Sequence, residues 1–133
     1  EWHAAEGVVL VGFGSHRGSV IAGREWDAPM ERMRVPEAQP GSWEDLMHRA
    51  DAENRLLLLD AAHVPGRWLA PRGHRATGVV YHPEYESFGN YVATVLPSRY
   101  DAFLYVDHTR ALDPLHLQPH PAHEPPETYP SGV

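Results

Sequence analysis

A chain of 133 residues is long enough for one domain with a true core, and 42% apolar with 22% charged residues is the balance of an ordinary globular protein. Its net charge of −7, with 18 acids against 11 bases and no lysine, argues against nucleic acid as a partner. The absence of cysteine excludes disulfides and thiolate chemistry and fits a reducing compartment, so the expected location is cytoplasmic. No apolar run approaches the ~20 residues of a membrane-spanning helix, so no membrane partner is expected. Glu1-Trp2-His3 does not read as a basic leader. With no initiator Met, the chain is expected to be a piece of a longer protein.

Taken in order, Val8 to Val11 is a compact apolar run and reads as a strand. It enters a glycine-rich stretch, Gly12 to Gly18, which reads as a tight turn. Ser19 to Ala22 then reads as a second short strand, in a hairpin or a bent extension. Residues 24 to 41 are irregular, pinned by Trp26, Met30 and Met33, with an imperfect alternation over Met30 to Val35 that suggests a strand. Ser42 is a good N-cap and Asp45 can complete a capping box. The helix that follows carries Trp43, Leu46, Met47 and Ala50 on one face and should end between Ala50 and Ala52.

Leu56 to Leu59 reads as a buried strand, and Ala61 to His74 as a loop with room for one helical turn. Ala76 to Tyr81 reads as a strand buried on both faces and stopped by Pro83. Tyr91 to Leu96 fits a strand or a short helix, ended by Pro97. Ala102 to Val106 reads as a last strand. From Asp113 the chain changes character: six of its 13 prolines lie between Pro114 and Pro130, and residues 113–133 are expected to form an extended or disordered tail. The expected fold is therefore α/β, a partial three-layer arrangement of four to five mostly buried strands with one clear helix, over residues 1–112.

The densest chemistry follows Tyr81. His82, Glu84, Glu86, Asn90 and Tyr91 fan out where a strand is expected to end, the usual place for ligands in open α/β sheets. Glu84 and Glu86 could divide into acid and base, or one could pair with Arg75 while the other is solvated. Ser15 does not sit in a G-x-S-x-G elbow, because Phe13 and Arg17 hold the glycine positions. His16 can line a pocket or lie exposed in a loop. Gly12, Gly14 and Gly18 lack the sixth-position glycine and following helix of a dinucleotide loop. His116, His120 and His123 have ligand-like spacing but sit among prolines, so neither metal nor cofactor is expected. Asp107-His108 at a strand end reads as a turn or as a carboxylate orienting an imidazole.

Several stretches together resemble the erythromycin esterase family, including its succinoglycan-biosynthesis-type members. They are VVLVGFGSHRGSV from Val8 to Val20, REWDAPM from Arg24 to Met30, PGSWEDL from Pro40 to Leu46, RATGVVYHPEYESFGNY from Arg75 to Tyr91, and LPSRYDAFLYVDHTRALDPL from Leu96 to Leu115. Ser87 stands where a basic residue would be expected, and His108 where an acid would. The resemblance implies an α/β hydrolase without a serine triad, in which a His and carboxylates activate water against an ester or macrolide lactone. It further implies that those catalytic groups lie upstream, that this chain is a C-terminal portion inactive alone, and that a small-molecule ester is the partner. The missing portion or a second copy would then complete it. Residues that could line the pocket are Ser15, His16, Arg17, His82, Glu84, Asn90 and Tyr91; no catalytic residue is carried over. The alternative is a non-enzymatic α/β ligand-binding or interaction module.

Overall fold

One unbroken strand of twelve residues, β1 (Val11–Ala22), positions everything else. The computed structural model describes residues 7–113. The expected tail therefore lies, beyond Asp113, outside the described residues, as do His116, His120 and His123. β1 runs parallel to β6 (Ala102–Thr109), and its last five residues pair antiparallel with β2 (Glu31–Val35). β3 (Arg55–Leu58) pairs antiparallel with the far side of β6, giving the order β2-β1-β6-β3. A separate two-stranded sheet joins β4 (Arg72–Arg75) to β5 (Tyr91–Thr94). Between them lie α1 (Trp43–Ala50), two 3-10 turns (Gly66–Leu69 and Pro83–Tyr85) and the one-turn helices α2 (Glu86–Gly89) and α3 (Leu96–Arg99). The architecture is α/β, six strands in two sheets with one sizeable helix among the described residues.

The glycine-rich stretch is part of a strand and not a turn, and the reason lies on β6. Phe103 sits over β1, so a Cβ at Gly12 would approach its ring to 2.7 Å and one at Gly14 to 2.6 Å. Gly18 has φ 144° with the Thr109 carbonyl 2.1 Å from where a Cβ would stand. Only glycine permits that approach. Val8 to Leu10, expected as strand, are exposed and outside any strand; Leu10 is tied to Asp101 through both its N–H and its carbonyl.

α1 forms where its local signals place it. Ser42 Oγ accepts from the Asp45 N–H at 3.2 Å, and Asp45 Oδ2 accepts from Gly41 N–H at 2.8 Å, one residue earlier than in a standard capping box. The helix buries Trp43 and Met47 against Phe103, Tyr105 and Leu96, the main core. Ala22, Met33, Val35 and Tyr81 form a second cluster near the β1–β2 end.

Three further expectations are corrected. Ala76 to Tyr81 is not a strand: Val80 makes one bridge to Gly23, because β1 ends there and the chain bends away through Asp27 at φ 64°. Tyr91 to Leu96 divides into β5 and α3, and Pro97 opens α3, where a missing N–H costs nothing. The leucine run does form β3, but on a sheet edge with Leu56 60% and Leu58 81% exposed. No helix among the described residues is long and apolar enough to cross a membrane.

Candidate functional site

Glu44, His74 and Arg75 form a buried charged cluster beneath α1. Glu44, in the first turn of α1, is fully buried, where the helix dipole favours a carboxylate. Its Oε1 accepts from His74 Nδ1 at 2.6 Å and from the Arg75 N–H at 3.1 Å, while Oε2 is buried with no partner among the described residues. His74 stands edge-on to Phe103 and Tyr100, with Nε2 3.4 Å from the Tyr100 hydroxyl. A carboxylate on Nδ1 with Nε2 turned to a hydroxyl is the arrangement that orients a histidine ring.

Arg75, next along β4, ties four segments together. Its Nη1 donates to the Ser15 and His16 carbonyls at 2.7 and 2.9 Å, and Nη2 to the Pro36 carbonyl at 2.9 Å. Its Nε lies 2.5 Å from Glu86 Oε1. Burial pushes the Glu86 carboxyl above its usual range, against the pull of the Arg75 charge. Burial likewise raises Tyr81 and Tyr91, whose ring lies 5.6 Å from the Arg75 guanidinium. β2 pairs only with residues 18–22 of β1, so Arg75 satisfies carbonyls on an edge that has no strand neighbour.

On the other flank of α1, His16 and His48 stack with ring centroids 3.7 Å apart and planes within 3°. His48 Nδ1 donates to Asp107 Oδ1 at 2.7 Å, and the Tyr105 hydroxyl donates to the same oxygen at 2.7 Å. Burial would raise Asp107, but the bonds from Tyr105 and His48 outweigh it and hold the carboxyl below its usual range. Burial, then the neighbouring His48, lowers His16, whose Nδ1 is buried without a partner among the described residues.

A cavity of about 390 Å³ opens beside the unpaired edge of β1. Phe13, Gly14, Ser15, His74, Arg75 and Tyr100 are among the residues that line it, with Val92, Arg99 and Val106. Of the residues singled out in the sequence, only Ser15 lines it. His16 is on the α1 side, stacked on His48. Arg17 is exposed and paired with Glu37 at 3.2 Å. His82 and Glu84 lie at the surface; Glu84 is held by Arg24 at 2.9 Å, and the hydrogen bond from its own backbone N–H, then Arg24, lowers its carboxyl. Asn90 Nδ2 donates to the Ala76 carbonyl at 3.0 Å, and the Tyr91 hydroxyl accepts from Gln39 N–H at 2.9 Å, so both fasten loops. Among the described residues, no group of three or more His, Asp or Glu could hold a metal ion.

Sequence reasoning missed His74, Glu44 and His48. Glu44 carried one faint signal, its place three residues before Met47, at the rim of the apolar stripe. A model of the erythromycin esterase family matches residues 1–109. No solved structure matches the chain. With most of its length under that match, and with the α/β sheet and strand-edge cavity described above, the chain belongs to the erythromycin esterase family.

Proposed function

We propose that this chain is the C-terminal part of an erythromycin-esterase-like hydrolase, supplying sheet and one wall of the substrate pocket. The reaction is hydrolysis of an ester or lactone by water activated by a general base, with the principal His and Glu contributed from upstream. Membership of the family supports hydrolase-like chemistry. The observation that carries the rest is the second face of the four-stranded sheet. Val11, Phe13, Leu56 and Leu58 are 48%, 65%, 60% and 81% exposed there, and Phe13 also lines the cavity. An apolar sheet face of this kind is the mark of a surface built to be covered. The groups at the cavity suit a supporting role: His74, oriented by Glu44, can relay a proton, and Arg99 can hold an anionic oxygen.

The test is hydrolysis of a macrolide lactone and of simple esters by this chain, alone and mixed with the upstream portion. Activity only in the mixture is the expected result, and Phe13→Glu should abolish it while leaving this chain folded. Activity of the chain alone would move the chemistry onto His74 and overturn the upstream assignment. No activity in either case, from a stable monomer, would instead favour a binding module.

A further inference from the structure

A second hollow, of about 310 Å³, lies between α1, β3 and the turn Gly66–Leu69. Its floor is Trp43, Trp68 and Leu57, the two indoles 5.4 Å apart and inclined at 42°. The charged residues that line it are Arg55, Arg67 and Arg72, with no Asp or Glu among them. In a chain with 18 acids against 11 bases, that concentration of one sign runs against composition.

The three arginines are unequally engaged. Arg55 Nη2 donates to the Asp51 carbonyl and lies 3.4 Å from its carboxylate. Among the described residues, Arg67 and Arg72 make no ion pair and no hydrogen bond from their side chains. Arg72 is set against the Trp43 ring, its guanidinium carbon 5.8 Å from the centroid, and its Nε is buried with no acceptor. A buried donor facing no acceptor is normally matched by a partner. A guanidinium fixed against an indole is also poised to grip a carboxylate with two parallel bonds.

The geometry points to a binding site for a small aromatic carboxylate, its ring on the Trp43–Trp68 floor and its carboxylate between Arg67 and Arg72. Neither half of the ligand suffices. An inorganic anion leaves the indoles without a stacking partner, and a neutral arene leaves the Arg67 and Arg72 charges unmatched. The volume is at the lower end of the ~300–1,000 Å³ usual for ligand pockets, which suits a one- or two-ring compound. This site is separate from the cavity at β1, and its assignment does not depend on the hydrolase reading.

The test is a titration of the whole chain with 1-naphthoate, followed through the indole N–H resonances in nitrogen-correlated NMR spectra. Trp43 and Trp68 should shift together and saturate, while Trp26, which does not line the hollow, stays still. 1-Naphthalenemethanol, with the same rings and no charge, should bind about tenfold more weakly or worse. Arg67→Gln, at an exposed turn position, keeps the fold and should weaken naphthoate several-fold; adding Arg72→Gln should bring the loss to about tenfold or more. Equal affinity for the alcohol would overturn the proposal, as would unchanged affinity in R67Q. So would the absence of saturable shifts at ~10 mM naphthoate, a concentration that reaches even very weak sites.

Discussion

The two faces of the four-stranded sheet reverse the usual division of labour. The face under α1 is sealed, yet it holds Glu44, His74, His16 and Arg75, all buried. The other face carries Val11, Phe13, Leu56 and Leu58 and is open. Buried charge is stable only when paired and hydrogen-bonded, and here Glu44 Oε1, His74 and Arg75 are paired while Glu44 Oε2 and His16 Nδ1 have no partner among the described residues. Exposed apolar area has no such internal remedy. The charged face is mostly satisfied within this chain, whereas the apolar area of the open face is left exposed among the described residues.

The largest effect should come from breaking the sealed face. Arg75→Met strands Glu86 and frees three carbonyls, so a loss of about 3–5 kcal/mol is expected in urea unfolding, a large share of a typical domain's stability. Gly14→Ala drives a Cβ against Phe103 and Glu44 and should cost about 1–3 kcal/mol with no change of charge. The pH dependence is gentler. His16 is held neutral in the folded state, so the unfolded chain binds the proton first as pH falls below the ordinary histidine value of about 6.5. The thermal midpoint should therefore decline from pH 6.5 downward, and His16→Gln should flatten that decline. Smallest for stability, within about 0.5 kcal/mol, is Phe13→Ser with Leu58→Ser on the open face. The same pair should lower self-association measured by sedimentation. A destabilised core from those two substitutions would mean that the open face is already part of the fold.

The parts legible in the sequence were those whose causes are local. α1 announced itself through Ser42, Asp45 and the Trp43–Met47 stripe, and β6 through its apolar run. β1 was not legible as one strand, because the reason for Gly12 and Gly14 is the ring of Phe103 at the other end of the fold. The valines at Val79 and Val80 looked like a central strand because their composition suits one, yet β1 offers them a single residue to pair with. The His74–Glu44 pair spans 30 residues, and nothing in either neighbourhood marks the partner. The resemblance to the family was legible because it rests on ordered stretches and not on any one contact.

The parallel pairing of β1 with β6 has a consequence for how the chain comes into being. The backbone of Leu10 meets the side chain of Asp101 across 91 positions, so the two central strands are, among the described residues, the first and last of the six in chain order. Hairpin contacts between β1 and β2 can form early, but closing so long a loop is slow and leaves the nascent sheet without its centre until β6 has emerged. During that interval Val11 and Phe13 stand on a stretch of β1 with no strand partner on either edge. The ribosome-bound intermediate should be a client for chaperones that shield apolar strands, and translation speed through β6 should set how much of the protein reaches its native state.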